Sequence, residues 1–113
     1  MDFTFDEEQT LIQRQVEQFI QRDYDWESRQ SLILTDSGYS LDKWNTFAEL
    51  GWLGISISDD SGGFGGSSVD TMILMEEFGK GLVLEPFLET VVMCAELIDK
   101  AGTLEQKKDV LTD

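Results

Sequence analysis

Apolar residues recur at helical spacing in the first part of the chain. Asp6 is a favourable N-cap, and the apolar residues after it repeat at helical spacing, namely Leu11, Ile12, Val16, Phe19 and Ile20. This spacing predicts an amphipathic helix over about 6–22. Residues 23–38 have no clean period, so we expect a short helical turn and then a loop that closes at Asp36-Ser37-Gly38.

The middle of the chain predicts a helix that ends at a glycine. Ser40 is a suitable N-cap, and we expect Gly51 to adopt the left-handed conformation that closes a helix. Trp44 and Trp52 flank this end, and we expect both to be core anchors. The run Ile55-Ser56-Ile57 alternates like a strand, but it has no partner strand, so we expect an extended linker.

The second half predicts three more helices. Ser67 or Ser68 begins a helix that should stop at Gly79, and Thr103 with Gln106 resembles a capping box for a last helix from Leu104 to Leu111. Between them, Pro86 suits the first turn of a helix over about 86–101 that ends at Gly102. Its packed face is predicted to carry Phe87, Val91, Ala95 and Ile98. The result is one domain, 1–113, with an all-α fold: a bundle of five to six helices.

The net charge of the chain limits which classes of partner it can be expected to bind. The chain has 8 Lys and Arg residues, 23 Asp and Glu residues and no His, giving a net charge of −15. This balance argues against nucleic acid or an anionic membrane as a partner, because affinity for phosphate polymers depends on Lys and Arg. It also argues that this domain does not supply the main grip on a phosphate-bearing ligand.

Cysteine usage and the N-terminal sequence bear on the compartment. The single cysteine, Cys94, excludes an internal disulfide. We find neither a long apolar run nor a basic leader, so we expect a cytoplasmic protein with no membrane insertion. With one Cys and no His, neither a hydrolase triad nor a transition-metal cluster can be built, so we expect no metal site.

The glycine loop, Ser61-Gly62-Gly63-Phe64-Gly65-Gly66, is the first candidate for chemistry. It lacks the third glycine of a dinucleotide fingerprint and no βαβ unit surrounds it, and the Walker pattern is absent. A calcium loop starting at Asp59 fails because Gly63 offers no ligand and Phe64 occupies the glycine position. We therefore interpret it as a tight connector between helices. Glu89 could face a cleft, although a solvated face is the commoner place for such a residue.

Several short motifs, taken in order, cover nearly the whole chain. They are Phe5-x-x-Glu8, Trp44-x-x-Phe47-Ala48-Glu49-Leu50-Gly51-Trp52-Leu53-Gly54, Gly62-Gly63-Phe64-Gly65, Met75-Glu76-Glu77-Phe78-Gly79-Lys80 and Ala101-Gly102-Thr103-x-x-Gln106-Lys107. Together they resemble the N-terminal helical domain of acyl-CoA dehydrogenases. Gly63 to Ile73, with Leu82 to Pro86 and Thr90 to Val92, looks most like the branch called pimeloyl-CoA dehydrogenase small subunit.

The resemblance implies that this domain is one part of a larger FAD-dependent enzyme. In the family, a β-domain and a second helical domain follow, and they hold the catalytic glutamate and most contacts to FAD. We therefore expect no catalytic residue here, and no activity from these 113 residues alone. The implied partners are the acyl-CoA substrate, the remaining domains of the parent chain, further subunits of a homo- or hetero-oligomer, and an electron-acceptor flavoprotein.

The resemblance also implies where the substrate would bind. The family's N-terminal domain walls one side of the acyl-tail pocket, and the matching positions are Glu85, Pro86, Glu89, Val92 and Met93. Pro86 departs from the commoner family pattern. Ser58 departs as well, because many relatives have proline before the acidic pair Asp59-Asp60.

Two other functions fit the sequence. A flavin monooxygenase or an acyl-CoA oxidase is built on the same scaffold, and only the other domains would separate them from a dehydrogenase. A stand-alone helical interaction module without flavin belongs to a different class. A reading frame that continues for about 250 residues would favour the enzyme, as domain sizes suggest, and one that ends at Asp113 would favour the module.

Overall fold

The structure, a computed structural model, describes residues 3–112 and is built from helices. The α-helices are α1 (Glu7–Asp23), α2 (Trp26–Ile33), α3 (Leu41–Glu49), α4 (Ser68–Gly81), α5 (Glu96–Ala101) and α6 (Leu104–Leu111). A π-helical stretch, Leu88–Ala95, precedes α5, and two 3₁₀ turns, Trp52–Gly54 and Asp59–Ser61, follow α3. Residues 3–112 contain no strand, which confirms the all-α prediction. None of their helices is long and apolar enough to cross a membrane.

Local capping sets where α1 and α6 begin. The Asp6 carboxylate accepts the Gln9 N–H at 2.8 Å, and Gln9 Oε1 accepts the Asp6 N–H at 3.0 Å. Thr103 and Gln106 form the same reciprocal pair before α6. These side chains satisfy N–H groups that have no partner within the helix. Both predicted helix starts are confirmed.

The chain divides into two compact units, and the first combines the residues up to Ser40 with Met72–Leu84. The Leu84 N–H donates to Tyr24 Oη at 2.8 Å, and Arg29 Nε donates to the Leu82 carbonyl at 2.7 Å. These bonds connect the two parts of the unit. Its buried apolar side chains are Val16, Phe19, Tyr24, Ile73, Leu74 and Phe78.

The second unit combines Leu41–Thr71 with Glu85–Asp113. Its buried apolar side chains are Phe47, Trp52, Ile55, Ile57, Phe87 and Val91. The Trp52 ring lies 5.3 Å from the Phe47 ring and is 1% exposed, so its prediction as a core anchor is confirmed. The same prediction for Trp44 is wrong. Phe47 takes the inner position on α3, and Trp44 is only half-buried, 6.2 Å from Phe47.

The run Ile55-Ser56-Ile57 is a set of tight turns, which corrects the prediction of an extended linker. Ile55 has helical backbone angles, φ −60° and ψ −39°. The Ile55 carbonyl accepts the Gly66 N–H at 2.7 Å, and the Ile57 carbonyl accepts the Gly65 N–H at 2.8 Å. Because the glycine loop folds back onto this run, both isoleucine side chains are buried.

Helix α4 passes through Gly79 and ends at Gly81, which corrects the predicted stop. The left-handed residue that closes the helix is Leu82, with φ 51°, and the Val83 N–H bonds to the Phe78 carbonyl at 3.0 Å. A Cβ on Gly81 would lie 2.7 Å from Ile20 Cγ2. Gly81 is therefore required by a close approach to α1 and not by its own backbone angles.

The helix predicted over 86–101 is present, but most of it is π-helical. Its first bond joins the Thr90 N–H to the Pro86 carbonyl at 3.1 Å. The Glu96 N–H bonds to the Val91 carbonyl, five residues back, which is the π-helical pattern. The Gly102 N–H donates to the Ile98 carbonyl at 2.8 Å, and the helix ends there as predicted.

Candidate functional site

The five expected pocket residues do not share one environment. Glu85 precedes the helix and is 4% exposed, whereas Glu89 and Met93 are exposed, Met93 at 59%. Pro86 and Val92 are half-buried. The structure therefore brings Glu89 and Met93, four residues apart, to the outer side of the helix, and it buries Glu85 just before the helix.

The inner side of the helix follows the predicted packed face. Phe87 and Val91 are buried, at 2% and 1% exposure, and Ile98 is half-buried. Val91 also lines a cavity of about 390 Å³, together with Thr90 and Ala95 of the same helix. The helix thus has one face turned into its unit and an exposed face that carries Glu89.

The cavity is largely apolar. Its other walls come from α3, from the turns and glycine loop, and from the end of α6, and are formed by Trp44, Ala48, Leu53, Gly54, Ile57, Ser61, Gly62, Gly63, Val110, Leu111 and Thr112. The polar side-chain groups on its walls are hydroxyls and the indole N–H of Trp44. Such a volume and lining suit apolar groups, and the half-buried Trp44 is explained by its place on this wall.

The backbone N–H groups of the glycine loop are used within the chain. Gly63 donates to the Ser58 carbonyl at 3.0 Å and Phe64 donates to the Gly54 carbonyl at 3.0 Å, and the Gly65 and Gly66 bonds are given above. A phosphate cradle needs free N–H groups aimed at the ligand. The loop therefore does not fit a flavin or nucleotide phosphate, which agrees with its interpretation as a connector.

Gly63 in this loop and Gly51 at the end of α3 are both required by close approaches. A Cβ on Gly63 would overlap the Ile57 carbonyl oxygen. Gly51 has φ 82°, and a Cβ there would lie 2.8 Å from the Phe64 ring. The predicted left-handed end of α3 at Gly51 is confirmed, and the exposed Phe64 ring covers it.

A serine–carboxylate network, formed by Ser56, Ser58, Ser61, Glu96 and Asp99, joins the turn region to α5. Ser58 donates twice to Asp99, from Oγ to Oδ1 at 2.6 Å and from its N–H to Oδ2 at 2.9 Å. Ser61 Oγ donates to Asp99 Oδ1 at 3.0 Å, and Ser56 Oγ donates to Glu96 Oε1 at 2.7 Å. The hydrogen bonds from Ser58, and then the one from Ser61 and the charge of Lys107, hold the pKa of Asp99 below its ordinary value.

Sequence analysis missed this network. Glu96 and Asp99 are three residues apart, so they share one face of α5, and the serines fall at positions 56, 58 and 61 of a single turn region. The departure of Ser58 from the family's common proline was the one signal that pointed to it. The partner of Ser58 lies some forty residues further along the chain, where local patterns carry no information.

Other candidate chemistry is limited in residues 3–112. Cys94 is exposed and forms no disulfide. Within this range no three His, Cys, Asp or Glu side chains are grouped so that they could hold a metal ion.

Comparison with known proteins identifies the family. The family described as acyl-CoA dehydrogenase, N-terminal domain, matches residues 6–113. The chain is 29% identical over 112 residues to an acryloyl-CoA reductase (NADH) of Anaerotignum propionicum, covering 98% of this chain and 28% of that protein. It is 28% identical over 116 residues to a short-chain specific acyl-CoA dehydrogenase of Clostridium acetobutylicum, covering 98% and 29%.

A third relative is similar over a slightly shorter part of the chain. It is the acyl-CoA dehydrogenase IpdE2 of Mycolicibacterium smegmatis, 29% identical over 98 residues, which cover 86% of this chain and 32% of that protein. The chain thus spans less than a third of the length of these relatives. No solved structure matches it significantly. The match over almost every residue, on a fold made of helices, places the chain in the acyl-CoA dehydrogenase N-terminal domain family.

Proposed function

We propose that the chain is the N-terminal domain of an FAD-dependent acyl-CoA dehydrogenase, and that its helix 88–101 walls one side of the acyl-tail pocket. The observation that carries the proposal is the uncovered apolar face of this helix. Leu88, Met93 and Leu97 are 44%, 59% and 65% exposed, while Phe87 and Val91 on the inner side are buried. An exposed apolar face of this kind marks a surface that contacts a ligand or another domain.

In this proposal Glu89, Val92 and Met93 contact the acyl tail directly. Glu85 and Pro86 set the start of the helix, because Glu85 is buried and the Pro86 carbonyl accepts the first helical bond. The chain binds and orients the tail and excludes water from it. Removal of the α-proton and transfer of hydride to FAD fall to groups in other parts of the parent protein.

The charge of the chain fits this division of labour. A net charge of −15 suits a domain that covers an apolar tail and leaves the CoA phosphates and FAD to other domains. The glycine-loop N–H groups, already bonded within the chain, support the same assignment. We further propose a cytoplasmic homo- or hetero-oligomer that passes electrons to an acceptor flavoprotein.

The substrate class we favour is a dicarboxylic acyl-CoA, as for the pimeloyl-CoA dehydrogenase small subunit branch. Glu89 on the tail-facing side would disfavour a plain fatty tail, because desolvating a carboxylate without a partner is costly. A tail that ends in a carboxyl group could share a proton or a bridging cation with Glu89. Without either, the two like charges repel each other.

The test uses the full-length protein with its natural partner subunit. Glu89→Gln removes the charge and keeps the size, so kcat/KM for a plain acyl-CoA should rise relative to that for an ω-carboxylated acyl-CoA of equal length. We expect the ratio to change by at least about threefold. Glu105→Gln, on the exposed side of α6, is the matched control and should leave the ratio unchanged. Equal ratios for Glu89→Gln and wild type would remove Glu89 from the pocket.

The same preparation distinguishes the alternatives. An acyl-CoA oxidase or a flavin monooxygenase would consume oxygen during turnover, whereas a dehydrogenase would require an electron acceptor. One relative is named an NADH-dependent acryloyl-CoA reductase, so reduction of an enoyl-CoA by NADH should be assayed as well. A full-length protein that binds no flavin and turns over no acyl-CoA would contradict the proposal and favour an interaction module.

A further inference from the structure

Ser58 is bound to Asp99 through groups that a proline would lack. Its backbone angles are φ −61° and ψ 151°, and this φ is the one that a proline ring imposes. The φ angle at this position therefore suits either residue. What serine adds is an N–H and a hydroxyl, and both donate to Asp99, at 2.9 and 2.6 Å.

The turn region that holds Asp99 is itself internally bonded. The Ser58 carbonyl accepts the Ser61 and Gly63 N–H groups at 3.1 and 3.0 Å, and the Gly54 carbonyl accepts the Phe64 N–H at 3.0 Å. Ser61 is buried and donates to the same Asp99 oxygen as Ser58 does. Asp99 is thus held by three hydrogen bonds from a segment with little freedom of its own.

The helix continues without a break from Asp99 back to the proposed tail-facing residues. Ala95 and Glu96, at the junction, have helical angles of φ −64°, ψ −44° and φ −64°, ψ −37°. A second contact, from Ser56 to Glu96, lies one turn before Asp99 on the same face. Two fixed points one turn apart set both the rotation and the axial position of the helix that carries Glu89 and Met93.

We propose that Asp99, held by Ser58, is a positioning residue that sets where helix 88–101 stands against the acyl tail and so tunes the preference for tail length. The inference rests on the proposed function, because it assigns the outer face of this helix to the tail. The new element is that the Ser58–Asp99 pair, which is remote from the tail, affects tail binding by fixing the position of the helix. Asp99 itself touches no substrate.

The experiment is a double-substitution cycle in the full-length protein. Ser58→Pro removes both donors without changing φ, and Asp99→Leu removes the acceptor at similar size. The readout is the ratio of kcat/KM for two acyl-CoAs that differ by two methylenes, with kcat and KM recorded separately. Because a methylene in an apolar pocket is worth about tenfold or more in discrimination, we expect each single change to shift the ratio by about three- to tenfold.

The double variant separates positioning from general damage. Ser58→Pro and Asp99→Leu together remove the same two hydrogen bonds between Ser58 and Asp99 that each single variant removes. Since both single variants lose the same bonds, we expect the double variant to shift the ratio about as far as either single variant does and no further. Additive or larger shifts in the double variant would overturn the inference, as would unchanged ratios in both single variants.

A milder variant covers the case in which a single substitution prevents folding. Asp99→Asn keeps an oxygen that can accept from Ser58 Oγ, but its amide group cannot accept the Ser58 N–H. It should shift the ratio in the same direction by a smaller factor, and no shift would count against positioning. Asp109→Asn, an exposed acid of α6, is the control. A wild-type protein without acyl-CoA turnover would refute the proposed function itself, whereas an active one with unchanged ratios would refute only the role of Asp99.

Discussion

At the scale of single residues, the two tryptophans near the end of α3 lie in different packing environments. Trp52 is 1% exposed and lies 5.3 Å from the Phe47 ring, inside the second unit. Trp44 stands on the wall of the cavity of about 390 Å³ and is half-buried. Removing Trp52 leaves a void in a packed core, whereas removing Trp44 enlarges a space that already exists.

We therefore expect Trp52→Ala to lower the free energy of unfolding by about 3–5 kcal/mol. For Trp44→Ala we expect a loss of about 1–2 kcal/mol, in the ordinary range of point substitutions. Urea denaturation of both variants, followed by circular dichroism, measures the difference. If the two losses were equal, Trp44 would be a core residue after all.

The lowered pKa of Asp99 predicts that the stability of the fold depends on pH. Its folded-state pKa is lowered, first by the Ser58 hydrogen bonds, so the ionised form is favoured in the folded protein. The resulting stabilisation is present above the unfolded-state pKa, about 3.9, and is lost as the pH falls through the lowered folded-state pKa. Asp99→Asn should therefore destabilise the protein at pH 7, and its deficit relative to wild type should shrink towards about pH 3.

The measurement is urea denaturation at several pH values. Asp109→Asn removes an equal charge from an exposed position outside the network and should show no comparable deficit at pH 7. A deficit for Asp99→Asn that stays constant across this pH range would mean that the carboxylate charge does not contribute.

At the scale of secondary-structure elements, what the sequence could predict depends on how far away the partner lies. The caps at Asp6 and Thr103 have partners three residues on, so local patterns predict them. Local spacing put the stop of α4 at Gly79, whereas the helix continues to Gly81, where the close approach of Ile20 requires a glycine. The Ser58–Asp99 bonds join segments about forty residues apart, which local patterns do not relate. The sequence therefore predicted the helix face that forms the candidate site, but it did not predict the hydrogen bonds that hold this helix in place.

Two glycine substitutions test this distinction. Gly79 lies inside α4, where a Cβ would meet nothing, so Gly79→Ala should stabilise the protein by about 0.5–1 kcal/mol. Gly63→Ala should destabilise it by about 1–3 kcal/mol, because its Cβ would overlap the Ile57 carbonyl and the loop would have to move. Both variants carry the same substitution of glycine by alanine, so thermal unfolding of each one measures the difference in stability. A stabilising Gly63→Ala would show that the loop is not tightly folded onto Ile57.

At the scale of the whole molecule, the second unit exposes a large amount of apolar surface. Leu104, Leu97, Met93 and Val110 are each more than half exposed, and Leu97 and Val110 also line a groove of about 450 Å³. Soluble monomers seldom leave contiguous apolar patches of this kind uncovered. The chain spans less than a third of the length of its relatives, and we propose that this surface, apart from the tail-facing Met93, contacts further parts of the parent protein.

The 113-residue chain should therefore bind a dye for exposed apolar surface more strongly than an ordinary monomer does, or it should self-associate. Leu97→Gln with Val110→Gln should reduce either effect. Leu34→Gln, at an exposed residue of the first unit, is the control and should change it less. A compact monomer that binds no dye would argue against a docking surface.

The discontinuous first unit has a consequence for how the protein is made. Its two parts, the residues up to Ser40 and Met72–Leu84, are separated by a segment of the second unit. A ribosome adds about 5–20 residues per second, so α1 and α2 emerge several seconds before the segment that completes their unit. During that interval Val16 and Phe19 lack the buried neighbours that Met72–Leu84 supplies. Nascent chains from which Met72–Leu84 has not yet left the ribosome should therefore be better substrates for chaperones that recognise exposed apolar side chains than chains from which it has.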